Sequence, residues 1–159
     1  MDNPATTARI DLADLGDPAV RDLIAFHQRS MIEGSPPGHS FALDLTGLQI
    51  EGVTVWAAHV GDRIAAIGAL KRLDAARGEI KSMRTHPDFL RQGIAAALLE
   101  AIIAHARAEG LAVLSLETGS GHAFEPALAL YRKRGFVNGE AFADYELTAF
   151  NQCLHLALD

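Results

Sequence analysis

The residues from Met83 to Ala97 have the types and the order of a phosphate-binding loop. Their sequence, MRTHPDFLRQGIAAA, predicts the end of a strand, a turn, a loop with a glycine and the start of an apolar helix. The N-terminus of a helix has N–H groups without intrahelical partners and a partial positive charge, and both favour a pyrophosphate. The segment therefore predicts a cofactor that carries phosphate groups.

The sequence lacks the motifs of other phosphate-binding folds, of metal sites and of disulfide bonds. No Gly-Lys-Ser/Thr follows the loop and the three-glycine spacing of a dinucleotide fingerprint is absent, so neither a P-loop nor a dinucleotide fold is indicated. The seven histidines show no His-Glu-x-x-His pattern, and Cys153 is the single cysteine. We therefore predict no metal site and no internal disulfide, and we place Cys153 in the core.

Composition narrows the class of protein. The chain has 159 residues, the size of one domain, which we predict to span residues 1–159. The net charge is −6 and no basic run is longer than Arg132-Lys133-Arg134, which argues against a nucleic-acid partner. The chain shows no signal peptide and no apolar run long enough to span a bilayer. We expect a cytoplasmic protein with no membrane partner.

Apolar periodicity and turn residues predict the elements that position the loop. We expect a helix of about 15 residues that starts at Asp17-Pro18, where both residue types are favoured. Gly61-Asp62 suits a hairpin turn. Further helices are predicted at Gly93 to Glu109 and Phe124 to Arg134, and strands at Thr7 to Ala13, Val53 to Val60, Arg63 to Leu73, Glu79 to Thr85, Leu111 to Leu116, from Phe136 onwards and at Gln152 to Leu158. This order is that of an α+β protein.

The glycine loop resembles the acyl-CoA-binding motif of the GNAT superfamily of N-acyltransferases, Gln/Arg-x-x-Gly-x-Gly/Ala. Gly93 and Ala95 fill the two small positions, whereas Leu90 stands where Gln or Arg is usual and Arg91 follows it. Residues 127–136, ALALYRKRGF, resemble the late motif of the family, Ala-x-x-Leu-Tyr-x-x-x-Gly-Phe. Phe124 stands where that motif often has asparagine. The segments EIKSMR and SLETG are similar to a bacterial subgroup assigned to small metabolites.

The resemblance implies a fold and an activity. The fold is α+β with α/β/α layers: a mixed, mostly antiparallel central sheet of about six or seven strands, flanked by about four helices. The activity is transfer of an acetyl group from acetyl-CoA to a primary amine of a small metabolite, by direct attack in a ternary complex. Two alternatives stay open: a protein or peptide N-acetyltransferase, and a non-catalytic acyl-CoA-binding sensor. A homodimer is compatible with the family.

The resemblance also assigns residues to acetyl-CoA. The backbone of Met83, Arg84 and Thr85 binds pantetheine, and the Met83 N–H points at the thioester oxygen. Backbone N–H groups of the loop and the first helical turn cradle the pyrophosphate, and they belong to Arg91, Gln92, Gly93, Ile94, Ala95 and Ala96. Small residues at these positions let the phosphates approach closely.

Tyr131 is the predicted general acid for the departing CoA thiolate. A tyrosine has a pKa near 10 and a thiol near 8.5, so the tyrosine is protonated at neutral pH and can donate. The alternative is a core tyrosine whose hydroxyl bonds a backbone group.

Glu79 is the predicted general base, since some members of the family carry a glutamate at the matching position. Strand alternation places Glu79 on one face with Lys81, Met83 and Thr85, and it sends Lys81 and Arg84 to opposite faces. Glu117 is the second candidate, as a base or as a group that binds a cationic substrate. Either carboxylate could instead form only a salt bridge or a strand-end contact.

Three loops are expected to shape the acceptor pocket: Gly34 to Phe41, Thr118 to Ala123 and Asn138 to Tyr145. Within the second loop, His122 is a candidate for contact with the substrate. Trp56, on the second strand, is predicted to lie in the core.

Overall fold

Four antiparallel strands form one half of the sheet in the computed structural model, which describes residues 7–158. They are β1 (Arg9–Leu12), β2 (Val53–Val60), β3 (Arg63–Arg72) and β4 (Arg77–Thr85). Gly61 joins β2 to β3 with φ of 58°, a left-handed conformation that favours glycine in a two-residue hairpin turn. The predicted hairpin is confirmed, and β4 begins two residues before the predicted start.

The other half of the sheet consists of β5 (Val113–Gly119), β6 (Val137–Gly139) and β7 (Asn151–Ala157). The strand order is β1-β2-β3-β4-β5-β7-β6, and only the β4–β5 pair is parallel. That pairing runs from Arg77 to Glu79 on β4 and then stops. Beyond Glu79, β4 and β5 therefore separate, and a cleft opens in the middle of the sheet.

Helices cover both faces of this sheet. They are α1 (Pro18–Glu33), the short α2 (Leu45–Leu48), α3 (Ile94–Ala108) and α4 (Glu125–Arg134). The start of α1 is capped as predicted: the Asp17 carboxylate accepts a hydrogen bond from the Ala19 N–H at 2.9 Å. The helix α2 was not predicted, because four residues carry too little periodicity to indicate a helix.

Two apolar clusters divide the core. On one face, α1 packs Val20, Leu23 and Ile24 against residues of β2 and β3. On the other face, α3 packs Leu98, Leu99, Ile102 and Ile103 against the same sheet. The predicted α+β fold with α/β/α layers and a mixed, mostly antiparallel sheet is confirmed. Trp56 and Cys153 are buried, as predicted.

A β-bulge at Ser82 changes which side chains of β4 share a face. Ala69 of β3 pairs with Lys81 and Ile67 pairs with Arg84, so two residues of β4 stand opposite Gly68 alone. Ser82 has φ of 57°, in the left-handed region.

The bulge overturns two predictions from strand alternation. A Cβ on Gly68 would lie 2.5 Å from the Met83 sulfur and close to α3, so the Met83 side chain lies on the α3 face. Lys81 contacts Glu79, and Arg84 contacts His27 of α1. The single shared face for Glu79, Lys81, Met83 and Thr85 is therefore wrong. The placement of Lys81 and Arg84 on opposite faces is also wrong, because the extra residue shifts the alternation by one.

No helix within residues 7–158 is long and apolar enough to cross a membrane.

Candidate functional site

The N-terminus of α3 presents backbone N–H groups at the end of the predicted phosphate loop. The first intrahelical bond runs from the Ala97 N–H to the Gly93 carbonyl at 3.1 Å, and the N–H groups in the first turn of a helix have no intrahelical partner. No side chain caps this end, and no acidic residue lies in the first turn. Ala96 is exposed and leaves room for a ligand. The arrangement fits a diphosphate.

The loop before α3 is shaped by its own contacts. Residues Pro87–Phe89 form a 3₁₀ turn, and Asp88 binds Arg63 of β3 at 2.6 Å. Arg91 and Gly93 both have left-handed backbones, with φ of 61° and 78°. The predicted phosphate residues, Arg91 to Ala96, therefore form one continuous turn around the helix start. Leu90 is exposed, in the place where a polar residue is usual in the motif.

The end of β4 faces the cleft with an unpaired edge. Arg84 and Thr85 pair with β3 on one side and Met83 lies in the bulge, whereas the pairing with β5 has already ended at Glu79. An extended pantetheine arm can hydrogen-bond to such an edge in the manner of an added strand. The residues predicted to bind acetyl-CoA thus fit the group that the resemblance implies.

Tyr131 of α4 lies close enough to Arg84 of β4 for the charge of Arg84 to act on it. Its ring is buried and packs edge-to-face on Phe136 at 5.7 Å between centroids. Burial raises the pKa of Tyr131 well above its ordinary value, and the positive charge of Arg84 opposes that rise. The hydroxyl is therefore protonated throughout the neutral range.

A small cavity lies between α1, β4, β5 and the chain before β7. Its volume is about 50 Å³, and its lining comprises His27, Met31, Ser35, His39, Phe41, Ala42, Glu79, Ile80, Lys81, Ser82, Glu117, Gly119, Tyr145 and Phe150. Each of the three loops predicted to shape the pocket contributes at least one lining residue. His122 is not among them: its side chain is fully exposed and lies 3.6 Å from Glu125.

Glu79 is held in a network of buried polar groups. The Tyr145 hydroxyl donates to Glu79 Oε2 at 2.5 Å. Lys81 Nζ donates to that hydroxyl at 2.7 Å and to Glu79 Oε2 at 3.1 Å. Burial, followed by the charge and the hydrogen bond of Glu79, raises the pKa of Tyr145, so Tyr145 stays a neutral donor. Lys81 compensates the charge of Glu79.

Glu117 faces the same cavity with fewer partners. Its Oε2 accepts one hydrogen bond, from Asn151 Nδ2 at 3.2 Å. Burial raises the pKa of Glu117, and the Asn151 bond and the charge of Lys81 only partly offset this. The site therefore contains a second carboxylate that binds a proton more readily than an ordinary glutamate.

The α1 side of the cavity has polar groups that the sequence analysis missed. Arg84 Nε donates to His27 Nδ1 at 2.9 Å. Burial, with the nearby charge of Arg84, lowers the pKa of His27 to about 3, so the imidazole is neutral at neutral pH. The hydroxyls of Ser35 and Ser82 are buried without a hydrogen-bond partner among the described residues. A histidine on the apolar face of α1 was the one available signal for this region.

Within residues 7–158, no group of three or more His, Cys, Asp or Glu side chains is placed to hold a metal ion.

Comparison with known proteins agrees with this geometry. The family model of the acetyltransferase (GNAT) family matches residues 20–136. The uncharacterized N-acetyltransferase YedL of Escherichia coli (strain K12) is 46% identical over 145 residues, which cover 91% of each chain. The uncharacterized N-acetyltransferase YsnE of Bacillus subtilis (strain 168) is 47% identical over 136 residues, covering 86% of this chain and 90% of the relative.

Solved structures show the same fold. One from Klebsiella pneumoniae, assigned to the acyl-CoA N-acyltransferases, superposes with a TM-score of 0.81 at 26% identity and covers 97% of this chain and 99% of its own. A GNAT family acetyltransferase from Elizabethkingia anophelis with acetyl-CoA bound has a TM-score of 0.70 at 20% identity, with 95% and 98% coverage. From the matched family model and the two relatives, the chain belongs to the GNAT family and is an acetyltransferase.

Proposed function

We propose that the protein transfers an acetyl group from acetyl-CoA to a primary amine of a small metabolite, by direct attack within a ternary complex. The observation that carries the proposal is the position of the cavity. It presents two carboxylates, Glu79 and Glu117, where the pairing between β4 and β5 ends, and Arg84, farther along β4, is close enough to Tyr131 for its charge to act on that residue. Carboxylates at this place bind an ammonium group and can accept its proton.

The binding of acetyl-CoA is assigned to two backbone segments. Residues Arg91 to Ala96 surround the pyrophosphate with N–H groups at the start of α3. The free edge of β4 at Met83, Arg84 and Thr85 holds the pantetheine arm. The Met83 N–H points at the thioester oxygen and polarises the carbonyl, a role in which a fixed donor stabilises developing negative charge.

Tyr131 is the proposed general acid. Its hydroxyl donates a proton to the CoA sulfur as the bond between that sulfur and the acetyl carbon breaks. The raised pKa of Tyr131 keeps the proton available over the neutral range. The Tyr131 ring is fixed by packing on Phe136, so the hydroxyl needs little reorganisation to donate.

The proton of the acceptor amine goes to a carboxylate. Glu79 as general base stays a prediction, and the contacts favour Glu117. Glu79 Oε2 already accepts hydrogen bonds from Tyr145 and Lys81, so this oxygen is occupied. Glu117 accepts one hydrogen bond, and burial raises its pKa, so it takes up a proton more readily than an ordinary glutamate. We assign proton transfer to Glu117 and binding of the ammonium to both carboxylates.

The size of the cavity favours a small acceptor over a peptide. A volume of about 50 Å³ holds only a few non-hydrogen atoms without movement of the lining. The cytoplasmic location, the homodimer and the contact of His122 with substrate stay predictions.

Thiol release from acetyl-CoA across a panel of amines tests the proposal. The panel contains amino acids, polyamines, aminoglycosides and short peptides, each product is confirmed by mass, and calorimetry measures acetyl-CoA binding separately. Acetylation of a small amine supports the proposal, and a product from peptides alone replaces it with protein acetylation. Binding of acetyl-CoA without any product favours the sensor alternative.

A further inference from the structure

The tautomer of His27 is determined by its neighbour. Arg84 Nε always carries a hydrogen, and it donates that hydrogen to His27 Nδ1 at 2.9 Å. In the neutral imidazole the remaining proton therefore lies on Nε2. His27 lines the acceptor cavity, and Nε2 has no hydrogen-bond partner among residues 7–158. His27 thus offers the cavity an N–H donor whose identity does not change across neutral pH.

Ser82 adds a second donor beside it. Its side chain is buried at 8% exposure and lines the same cavity, and its hydroxyl has no partner within the described part of the chain. A buried hydroxyl without a partner costs free energy, so such groups in folded proteins call for a specific explanation. The left-handed backbone of Ser82 at the bulge is a further cost. A ligand group that accepts a hydrogen bond from Ser82 accounts for the unpaired hydroxyl.

Arg84 places beside His27 a positive charge that no acidic residue balances. It is half-buried, and its contacts among the described residues are His27 and the ring of Phe26, with the guanidinium carbon 5.6 Å from the ring centroid. No carboxylate of the described chain lies within 4.0 Å of it, whereas Arg63 and Arg134 each bind one. A partly buried cation without a counter-ion favours an anion nearby.

The cavity lining therefore contains two sets of groups with different chemistry. Glu79 and Glu117 suit an ammonium group. His27 and Ser82 are hydrogen-bond donors, and Arg84, bound to His27, adds a positive charge. A ligand that matches both sets carries an amine and an anionic acceptor of hydrogen bonds.

We propose that the acceptor is a small amino acid, whose carboxylate binds the His27 Nε2–H and the Ser82 hydroxyl while its amine lies between Glu79 and Glu117. This assignment rests on the proposed function and specifies the substrate class. The small volume of the cavity favours an amino acid with a short side chain. His27 acts as a specificity-determining donor and not as a base.

Matched acceptors test the carboxylate directly. Each amino acid that is acetylated is compared with its own amide and with the amine left after removal of the carboxyl group. We expect kcat/KM for the amino acid to exceed that of both analogues at least 10-fold, because hydrogen bonds to a charged group are lost. Equal kcat/KM for an amino acid and its decarboxylated amine would overturn the proposal.

Variants locate the subsite. His27→Leu removes the Nε2 donor, and Ser82→Ala removes the hydroxyl donor. We expect each to raise KM for the amino acid at least 10-fold, to leave KM for its amide within 2-fold, and to leave the Kd of acetyl-CoA unchanged. His105→Leu, on α3 across the sheet, is the matched control for His27→Leu. Equal losses with the amino acid and the amide would show a structural role and contradict the subsite.

A direct signal keeps the proposal testable where a variant folds poorly. Nitrogen NMR of the wild-type protein should show His27 in the Nε2–H tautomer, with its signal shifting when the preferred amino acid is added in the presence of CoA. An Nδ1–H tautomer, or no shift at a saturating concentration, would overturn the subsite while leaving amine acetylation intact. Failure of every amine to be acetylated would overturn both the proposed function and this inference.

Discussion

The phosphate loop and the acceptor cavity are built in opposite ways. The loop, residues 86–97, is one continuous segment whose donors are backbone N–H groups at the start of α3. The cavity collects side chains from α1, the chain after it, β4, β5 and the segment before β7, so its lining extends from His27 to Phe150. A backbone site requires only small residues and a local conformation. A side-chain site requires that distant segments be packed correctly.

This difference predicts separable functions. Changes at the loop should alter the Kd of acetyl-CoA, and changes at the cavity should alter kcat or the acceptor KM. Tyr131, on α4, belongs to neither region and should affect chemistry alone. The predictions below test whether the two regions are independent.

Replacement of Tyr131 is expected to have the largest effect. Tyr131→Phe keeps the ring that packs on Phe136 and removes the proposed acid. We expect kcat to fall by about 100- to 1000-fold, the usual contribution of a general acid, with the Kd of acetyl-CoA within 2-fold of wild type. Steady-state kinetics and calorimetry measure the two quantities. An unchanged kcat would remove Tyr131 from the mechanism, and a large rise in Kd would place it in cofactor binding.

Ala96→Glu should separate cofactor binding from stability. A carboxylate in the first turn of α3 stabilises the helix by about 0.3–1 kcal/mol, because it interacts with the positive end of the helix dipole. The same charge repels the pyrophosphate, so we expect the Kd of acetyl-CoA to rise about 100-fold, or roughly 2.7 kcal/mol.

The neutral variant Ala96→Gln is the matched control, since it adds nearly the same volume without the charge. Thermal unfolding should show Ala96→Glu at least as stable as wild type. Equal weakening by both variants would indicate that bulk, and not charge, excludes the ligand. No weakening by either would place the pyrophosphate elsewhere.

Replacing each carboxylate of the cavity by its amide should change the stability of the protein in opposite directions. Glu79→Gln leaves the buried Lys81 without its carboxylate, which is expected to cost about 3 kcal/mol of stability. Burial raises the pKa of Glu117, so the folded protein holds that proton more tightly than the unfolded chain does. The resulting stability is present at acidic pH and is lost as pH rises through the raised pKa of Glu117.

Glu117→Gln should therefore be as stable as wild type in acid and more stable at neutral pH, while kcat/KM falls about 10- to 100-fold. Chemical denaturation from acidic to neutral pH measures the stability of both variants. The pH–rate profiles identify the base: the acidic limb disappears in the variant that lacks it. Loss of the acidic limb of the pH–rate profile in Glu79→Gln alone would identify Glu79 as the general base.

Sequence reasoning recovered the sheet and the helices but not the bulge. The apolar runs of β2 and β3 and the Asp17 cap of α1 are local signals that the structure retains. The bulge at Ser82 depends on how β4 pairs with Gly68 of β3. The sequence of one strand alone does not specify that pairing. A glycine within a strand often marks a bulge, so Gly68 was the available signal.

The parts of the candidate site that are formed by residues close together in sequence could be predicted. The phosphate loop could be identified from residues 83–97 alone, since helix starts and glycines have local signatures. Glu79 and Glu117 could be named, but their partners could not, because Tyr145 lies 66 residues from Glu79 along the chain. The His27–Arg84 contact joins residues 57 apart in sequence and depends on the shifted alternation of β4.

A substitution at Gly119 tests whether the phosphate loop and the acceptor cavity are independent, with the smallest expected effect. A Cβ there would lie 2.5 Å from Phe150 Cζ and 2.6 Å from Phe124 Cζ, and rings packed against each other cannot move aside freely. Gly119→Ala should therefore cost about 2 kcal/mol of stability through overpacking. Gly119 and Phe150 both line the cavity, so a displaced ring should also raise the acceptor KM several-fold.

The matched control is Gly38→Ala, where a Cβ would meet no atom within 4 Å and where the left-handed φ of 79° alone is unfavourable. That change should cost about 1 kcal/mol and leave the acceptor KM unchanged. Neither variant should alter the Kd of acetyl-CoA. A weaker Kd in Gly119→Ala would mean that strain at the end of β5 reaches the phosphate loop through the apolar cluster that contains both Phe124 and Ile94 of α3. In that case the cavity and the loop would form one coupled unit, and substrate binding at one would affect binding at the other.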